Sequence, residues 1–407
     1  MPEVMTFVYI AMFFFGIYFL MFFLLIYARN RETLFDYAKT KNFPFVSVLI
    51  PAYNEEDGIE DTVNSFVSID YPKRKMEIII INDGSTDDTL KIARKLEKKY
   101  GIVRIIDKKN SGKADSLNQA IKIAKGELIA VADADSYPDK DSLKKMVGYF
   151  EDEKVGAVTS RVLVKNKEGF LGKFQDIDYR VIAWSRKILD YVDSVYVTNG
   201  PLSVYRASIL KKVGGFDIKN VTEDIEVTWH ILSEGYKTRM SYSSVVYTKV
   251  PMKFKQWLNQ RIRWNLGGLQ TIYKYRKFFF SSRNSFGYFV IPYVSLAFFL
   301  ALVGFLLFSR FVFKKASLYF FSIPFFFQGY NPFKYLEFYI PVTLLLILGI
   351  LFLLFSFVYY SNALKDSGNK GILNILIYAL VYRPLYLVPL LSSIYKIIRR
   401  DVRWFTK

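Results

Sequence analysis

The stretch Glu127-Leu-Ile-Ala-Val-Ala-Asp-Ala-Asp135 decides the fold of this chain. Its apolar run, residues 128–132, is bounded by polar residues, which is typical of a strand buried on both faces of a parallel sheet. Because residues i and i+2 of a strand point the same way, Asp133 and Asp135 are predicted to face one spot beyond the strand. Ligands of open α/β sheets bind at that edge. Two carboxylates there suit Mg²⁺ or Mn²⁺ holding a diphosphate, and a solvated turn is the alternative.

The same pattern repeats on both sides of this strand. The alternation predicts a parallel sheet with right-handed crossovers, whose polar strand ends share one edge and form one site. The predicted strands are 46–50, 77–81, 102–106 and 128–132, the predicted helices lie near 57–68, 87–99, 114–124 and 140–150, and the polar ends are 51–56, 82–88, 110–118 and 133–135. A further strand is predicted at 155–164.

Two polar residues at this edge have plausible functions. Asp83 could accept hydrogen bonds from a base or ribose, or its segment could simply cap the next helix. Lys113 could neutralise a phosphate, or lie in solvent at a helix start. Gly112-Lys113 is not a P-loop, because the earlier glycine and the following Ser or Thr of that motif are missing.

The composition restricts the chemistry. The 407 residues carry a formal charge of +19, and 18% of them are aromatic. Because the basic residues gather beside apolar segments, a protein partly in lipid is favoured and nucleic acid is not the expected partner. There is no cysteine, and His230 is the single histidine, so disulfides, thiolate catalysis and histidine-cluster metal sites are excluded. Carboxylates are therefore expected to carry any metal or proton chemistry.

Both ends of the chain contain apolar segments. Residues 5–27 carry no charge and are long enough to cross a bilayer. Because Arg29 and Arg31 follow this run, the positive-inside rule places the next domain in the cytosol. Residues 1–30 are thus predicted to be a membrane anchor.

Residues 285–407 are predicted to form a second membrane region, with spans at 286–309 and 336–360. The segment 372–395 is long enough to span but carries Arg383-Pro384 at its centre, which is costly in lipid. We expect it to be re-entrant or functional. A fourth, short span at 317–328 is the alternative that would also leave the basic C-terminus in the cytosol.

Two predicted helices carry acidic residues. Residues 168–192 have amphipathic spacing, and Asp176, Asp178 and Arg180 are interpreted as their polar face. Thr222-Glu-Asp-Ile-Glu226 opens a helix to about residue 234, with Thr222 as N-cap. Acidic residues in a first turn suit the helix dipole. Alternatively, Asp224 is the general base that deprotonates an acceptor hydroxyl.

Residues 251–280 are predicted to be amphipathic and to lie at a membrane interface, because seven basic residues are mixed with Trp and Leu between 251 and 277. Within them, Arg263 could pair with a diphosphate. Trp264 could stack on a sugar or anchor at the headgroups. Upstream, Gly200 could let the backbone approach a bulky ligand closely.

These motifs, taken in order, resemble those of the inverting family-2 glycosyltransferases of membranes, the group of hyaluronan, cellulose and poly-N-acetylglucosamine synthases. The resemblance covers residues 45 to 270 and implies a GT-A-type nucleotide-sugar-binding α/β domain at 45–250 with a mostly parallel sheet, plus interfacial and transmembrane α-helices. It rests on Pro-Ala-Tyr-Asn-Glu-Glu (51–56), Asp83-Gly-Ser, Gly112-Lys-Ala-Asp-Ser-Leu-Asn118, Asp133-Ala-Asp135, Thr222-Glu-Asp224 and Gln260-Arg-Ile-Arg-Trp264. Tyr382-Arg-Pro-Leu385 and Trp404-Phe-Thr-Lys407 resemble the tail of hyaluronan synthases.

The resemblance also implies roles. Asp224 would be the catalytic base, and Asp133 and Asp135 would place Mg²⁺ or Mn²⁺ and the diphosphate. The donor-binding residues would be Pro51, Tyr53, Glu55, Asp83, Lys113 and Asp133, and the residues at the diphosphate and acceptor would be Glu223, Gln260, Arg263, Trp264 and Gly200. The chain departs from the family pattern at 199–203, the acceptor loop, and in having one N-terminal span where many relatives have two.

The function implied is elongation of a β-linked polysaccharide from a nucleotide-sugar, UDP-linked by expectation, by an integral plasma-membrane protein with a cytosolic catalytic domain. Single-sugar transfer to a lipid, such as a polyprenyl phosphate or a glycolipid, is the alternative, since ceramide glucosyltransferases share the Gln-x-x-Arg-Trp type of motif. A membrane scaffold without activity is disfavoured because every acidic position is filled. The sugar and any accessory subunit stay open.

Overall fold

The computed structural model describes residues 2–281, 285–327 and 344–399. Its strands are β1 (Val46–Ala52), β2 (Met76–Asp83), β3 (Val103–Lys108), β4 (Leu128–Val131), β5 (Ser136–Pro138), β6 (Val155–Val164), β7 (Ser203–Arg206) and β8 (Lys237–Thr248). Its helices are α1 (Pro2–Asn30), α2 (Ile59–Val67), α3 (Thr89–Lys99), α4 (Lys113–Ile123), α5 (Lys144–Val147), α6 (Gly169–Asp190), α7 (Ala207–Lys212), α8 (Glu223–Ser233), α9 (Phe254–Tyr275), α10 (Ile291–Phe327), α11 (Leu344–Ala363), α12 (Ile372–Ile377) and α13 (Leu387–Ile398).

The strands form one sheet in the order β3-β2-β1-β4-β7-β6-β8-β5. The four strands of the predicted βαβα repeat pair in parallel, as expected. Beyond them, β7 runs antiparallel to both β4 and β6, and β6 pairs in parallel with β8. The prediction of a mostly parallel α/β sheet is therefore confirmed, with an antiparallel strand at its middle.

The apolar strands are continuous because helices cover both faces of the sheet. Every residue of β1, β2 and β4 is buried. Ile50 and Ile78 pack toward α2, and their neighbours Leu49 and Ile79 pack toward α4 and α7 on the opposite face. This double burial fixes the register, so that β1, β2 and β4 end side by side at one edge.

Asp133 and Asp135 lie just beyond this edge, but not in a strand. β4 ends at Val131, and a turn follows in which the backbone N–H of Ser136 donates to the carbonyl of Asp133 at 3.1 Å. The argument from strand alternation was therefore wrong. A turn, not a pleat, brings these two carboxylates to the sheet edge.

Two predicted helices differ in the structure. The stretch 140–150 is helical only over Lys144–Val147, followed by a 3₁₀ turn at Gly148–Glu151. In α6, the residues interpreted as a solvent-facing polar side are buried: Asp176 and Asp178 are 1% and 0% exposed. They pair with cations instead of water, as Arg180 Nε does with Asp176 Oδ2 at 3.1 Å.

The chain divides into two compact units, Met1–Leu25 with Tyr293–Asn362, and Ile26–Pro292 with Ala363–Lys407. The described helices of the first unit pack through aromatic edges. Phe13 meets Phe352 at 6.1 Å between ring centroids, and Phe19 meets Tyr293 at 5.2 Å. The second unit holds the sheet, α9 and the last apolar segment.

Four helices of the described chain are long and apolar enough to cross a membrane: Thr6–Thr33, Phe286–Lys314, Leu346–Ala363 and Ile372–Ile398. The piece considered as a separate short span does not stand alone, because α10 runs without interruption through residue 327. Residues 336–343 and 404–407, on which part of one predicted span and the tail likeness fall, lie outside the described residues. The membrane topology stays a prediction.

The last apolar segment, Ile372–Ile398, stays helical across Arg383-Pro384. It passes from α12 into a π-turn at Tyr378–Tyr382, a 3₁₀ turn at Arg383–Tyr386 and then α13. Such turns accommodate a proline that cannot donate to an α-helical ladder.

Candidate active site

Lys113 lies at the centre of the site. Its Nζ is 2.6 Å from Asp133 Oδ1 and 2.8 Å from Glu223 Oε1. The three residues come from the first turn of α4, the turn after β4 and the first turn of α8. One ammonium therefore contacts two carboxylates that lie 20 and 110 residues further along the chain, so three of the predicted motifs meet here.

Asp83 fixes the loop that leads to Lys113. Its carboxylate accepts the backbone N–H groups of Ser111 and Gly112, each at 2.9 Å, and also the ammonium of Lys108. Carboxylates that accept several N–H bonds hold a loop firmly, since charge-assisted bonds are about twice as strong as neutral ones. Asp83 thus sets where α4 begins, and its predicted contact with a nucleotide stays a prediction.

The segment after β1 is tied to the segment after β2. Glu55 N–H donates to Thr89 Oγ1 at 2.8 Å, and Asn54 N–H donates to Ser85 Oγ at 3.0 Å. Pro51 is buried in the strand end, whereas Tyr53 and Glu55 remain partly exposed. These hydrogen bonds hold the backbone of the segment in place. The donor-binding roles of Pro51, Tyr53 and Glu55 stay predictions.

Gly200 packs directly against the Asp133 carboxylate. A Cβ built at Gly200 would be 2.6 Å from Asp133 Oδ2, closer than atoms can approach. The preceding Asn199 is held by its Nδ2, which donates to the Ser160 carbonyl at 2.8 Å, and by the guanidinium of Arg186. The loop predicted to receive the acceptor therefore borders the aspartate turn.

Asp224 has the electrostatics of a base. It lies half-buried at the start of α8, where Ile225 N–H donates to its Oδ1 at 2.9 Å. Burial, and next the negative charge of Glu223, raise the pKa of Asp224 to about 6. A carboxylate with a pKa near neutrality is ionised at pH 7 and still basic enough to take a proton.

Glu223 differs sharply from its neighbour. Burial would raise its pKa, but the ammonium of Lys113 and the guanidinium of Arg263 outweigh burial and lower it. Burial likewise opposes the charge of Lys113, yet Asp133 and Glu223 raise the pKa of that ammonium. Glu223 and Lys113 therefore form an ion pair, and Asp224 is the carboxyl of the two whose pKa is raised.

Arg263 reaches the site from α9. It lies close enough to Glu223 and Asp224 to lower the pKa of both. The crossing of α8 and α9 explains this proximity: a Cβ built at Gly267 would be 1.7 Å from Thr222 Oγ1. Only a glycine allows the two helices to approach this closely. Thr222 does occupy the N-cap position of α8, but its side chain bonds Asn220 instead of capping the helix.

We expect Gly267→Ala to separate the two helices and impair the site. Overpacking of this kind costs about 1–3 kcal/mol of folding free energy. Sugar transfer should fall more than stability suggests, because Arg263 moves away from Asp224. Thermal melting and initial rates check this result. Gly101→Ala, where no atom lies within 4 Å of the new Cβ, is the control, and equal behaviour of both variants would contradict the expectation.

Gln260 and Trp264 both contact Arg261, which lies between them on α9. Arg261 donates from Nη1 to Gln260 Oε1 at 3.1 Å, and its guanidinium carbon lies 3.9 Å above the Trp264 ring. Not all apolar residues of this helix are exposed, and its placement at a membrane interface stays a prediction. Trp257, Ile262 and Leu266 are buried within the protein, against α8 and α13 among others.

The aspartate turn fits a divalent cation. Asp133 and Asp135 are both partly exposed, and Thr248 Oγ1 contacts Asp135 Oδ1 at 3.4 Å. Within residues 2–281, 285–327 and 344–399, no group of three or more His, Cys, Asp or Glu side chains is placed to hold a metal ion. Two carboxylates still suffice where substrate phosphates complete the coordination, as is usual for Mg²⁺.

Two residues at the site were not predicted. Arg186 of α6 binds Asn199; burial lowers its pKa, and the nearby charges of Tyr196 and Asp224 oppose this. Asn118 clamps the backbone of Phe216, donating to its carbonyl and accepting from its N–H, both at 2.8 Å. Asn118 was visible within the Gly112–Asn118 motif, whereas nothing local marks Arg186.

Comparison with known proteins identifies the domain. Residues 47–214 match the model of glycosyl transferase family 2. The chain is 34% identical over 229 residues to the poly-beta-1,6-N-acetyl-D-glucosamine synthase of Staphylococcus aureus (strain MSSA476), covering 56% of this chain and 55% of that protein. It is 33% identical over 274 residues to the probable glycosyltransferase YdaM of Bacillus subtilis (strain 168), covering 65% of this chain and 64% of that protein. The matches thus span little more than half to about two thirds of these relatives.

One solved structure has a similar fold. The mannosyltransferase PcManGT from Pyrobaculum calidifontis, in complex with GDP-Man and Mn²⁺, superposes with a TM-score of 0.62 at 20% identity, covering 99% of this chain and 100% of that one. The predicted GT-A-type fold is confirmed by this likeness. Residues 47–214 therefore form a glycosyl transferase family 2 domain, and the chain is similar to the poly-beta-1,6-N-acetyl-D-glucosamine synthases.

Proposed function

We propose that this protein transfers a sugar from a nucleoside-diphosphate donor, a UDP-sugar by expectation, to an acceptor hydroxyl with inversion at the anomeric carbon. The product is a growing β-linked polysaccharide. The observation that carries the proposal is the ion-paired set of Asp133, Lys113 and Glu223, with Asp224 and Arg263 beside it. Two cations able to neutralise a diphosphate and a carboxyl of raised pKa meet there, at the edge where open α/β sheets bind their ligands.

The residues divide the work of one in-line displacement. The Asp224 carboxylate accepts the proton of the acceptor hydroxyl, and the acceptor oxygen forms a bond to the anomeric carbon as the bond from that carbon to the diphosphate breaks. Arg263 and Lys113 stabilise the negative charge that develops on the departing diphosphate. Because attack is opposite the leaving group, an α-linked donor yields a β-glycoside.

Asp133 and Asp135 would hold Mg²⁺ or Mn²⁺. Bound there, the cation would supply Lewis-acid stabilisation of the diphosphate oxygens. The Mn²⁺ in the mannosyltransferase complex from Pyrobaculum calidifontis supports the use of a divalent cation. Asp133 is already bonded to Lys113, so binding of the cation requires this aspartate to share or exchange that partner.

Elongation is favoured over single transfer by the staphylococcal relative, whose name is that of a polymer synthase. The basic residues after the first apolar helix support a cytosolic site. Four helices able to cross a membrane support an integral membrane protein that couples synthesis to export. Transfer of one sugar to a polyprenyl phosphate or glycolipid is the second candidate.

The test is incubation of the purified full chain, in lipid nanodiscs, with a panel of UDP- and GDP-sugars and a divalent cation, followed by sizing of the products. A ladder or high polymer, cleaved by a β-specific glycosidase, is the expected result. A single lipid-linked sugar would select the second candidate. An α-linked product, or no transfer from any donor, would overturn the proposal.

A further inference from the structure

Asp178 of α6 lies in a buried polar cluster next to the Gln260–Trp264 motif. We define the Asp178 cluster as Asp178, Arg261, Tyr378, Tyr386 and Arg383. Asp178 and Arg261 are 0% and 1% exposed. Burying two charges this completely costs folding free energy unless they pair with each other and form hydrogen bonds. The geometry of the pair is therefore tightly determined.

The carboxylate is surrounded by donors. Tyr378 OH donates to Asp178 Oδ1 at 2.8 Å, and Tyr386 OH donates to Oδ2. Arg261 Nη2 is 3.5 Å from Oδ2, and Arg383 Nη1 is 3.6 Å from Oδ1. Both tyrosines and Arg383 belong to the last apolar segment, whereas Arg261 belongs to α9. Asp178 therefore joins three separate parts of the second unit.

Arg261 links Asp178 to the Gln260–Trp264 motif. The same guanidinium bonds Gln260 and lies over the Trp264 ring. Arg261 is thus held by Asp178 on one side and itself supports two motif residues on the other. Arg263, two residues further on, faces the carboxylates of α8. One helix hence presents one arginine to the reaction and one to the Asp178 cluster.

The last apolar segment is attached to α9 at two further points. Trp257 Nε1 donates to Tyr382 OH at 3.0 Å, and Ser393 Oγ donates to the Ile262 carbonyl at 3.2 Å. Tyr378, Tyr382 and Tyr386 recur every fourth residue and so lie along one face of the segment. That face packs against α6 and α9.

We propose that Asp178 is a positioning residue for the acceptor side of the site: it orients Arg261, which holds Gln260 and Trp264 in place, and Tyr378 and Tyr386 make this orientation depend on the seating of the last apolar segment. The proposal rests on the proposed function and on the role that the family resemblance implies for Trp264, at the diphosphate and the acceptor. Asp178 is 0% exposed, and the proposal has it act through Arg261 and not by contact with substrate. Its loss should therefore spare donor binding and misdirect the acceptor.

The test measures two quantities on the full chain in nanodiscs: the Kd for UDP with Mn²⁺, by calorimetry, and the ratio of sugar transferred to donor hydrolysed. For Asp178→Asn, we expect the Kd to stay within about twofold and the ratio to fall by about 10²-fold, the cost of a small misplacement near a reacting centre. Tyr386→Phe and Tyr378→Phe keep the rings and should each lower the ratio by about tenfold, as for one lost bond to a charged group.

Tyr395→Phe is the matched control, on the same segment but 54% exposed, and should leave the ratio unchanged. If Asp178→Asn does not fold, the two tyrosine variants decide alone. An unchanged ratio in both, or a rise in Kd for UDP parallel to the loss of transfer, would overturn the positioning role. A wild-type protein that transfers no sugar would instead overturn the proposed function, and this inference with it.

Discussion

Replacing Asp224 by asparagine is expected to lower the rate of sugar transfer by about 10²–10⁴-fold, the range supplied by a positioned general base. The amide keeps the size of the side chain and cannot accept the hydroxyl proton. Binding of the nucleotide should change little, because Asp224 faces the acceptor in the proposed reaction. The measurements are kcat with a saturating donor and the Kd for UDP. Glu234→Gln, which makes the same chemical change at the other end of α8, is the control.

The pH profile tests the same residue independently. Because the folded protein raises the pKa of Asp224 to about 6, the wild-type rate should be at its plateau above that pH and fall as the carboxyl becomes protonated below it. The pKa of Glu223 is lowered, so this acidic limb belongs to Asp224. An asparagine variant that keeps the full rate, or the same acidic limb, would remove Asp224 from the mechanism.

Removing divalent cations should abolish turnover. A metal at Asp133 and Asp135 would supply several kcal/mol of charge stabilisation, so EDTA should lower the rate by about 10³-fold or more. Added Mn²⁺ or Mg²⁺ should restore it. Asp135→Asn should raise the Mn²⁺ concentration needed for half-maximal binding of UDP, which calorimetry measures without turnover.

The control for this site is Asp139→Asn, an exposed aspartate four residues further along the chain. It should leave the Mn²⁺ requirement unaltered. Full activity of the chelated protein would show that Lys113 and Arg263 alone neutralise the diphosphate, and would remove the metal from the proposal.

The sequence predicted the parallel half of the sheet because strands that are buried on both faces consist of continuous apolar runs. β6 was found at its observed bounds, Val155–Val164, for the same reason. The antiparallel pairing of β7 was not predicted, since a four-residue strand carries too little pattern to indicate its partners. The aspartate turn was placed at the correct edge but by the wrong local geometry.

The site was predictable to the extent that one rule governs it: residues after parallel strands meet at one edge. Lys113 and Asp133 followed from that rule, and Asp224 only with the help of the family resemblance. Asp178 was misinterpreted because its partner Tyr378 lies 200 residues away. A polar residue on the polar side of an amphipathic helix is expected to face solvent, unless a partner elsewhere in the chain is known to bury it. Arg186 was missed because its partner Asn199, 13 residues away, lies in a loop beyond the end of α6, where helical spacing gives no signal.

The contact between Thr222 and Gly267 has a consequence for how related chains diverge. Asp224 and Arg263 lie on two helices, α8 and α9, that are in direct contact. A change in the position of one helix therefore requires a change in the other. A bulkier side chain at position 267 should survive only where a smaller one has appeared at position 222. Among related sequences, residues 222 and 267 should therefore vary together, whereas the residue at position 101 should vary independently of both.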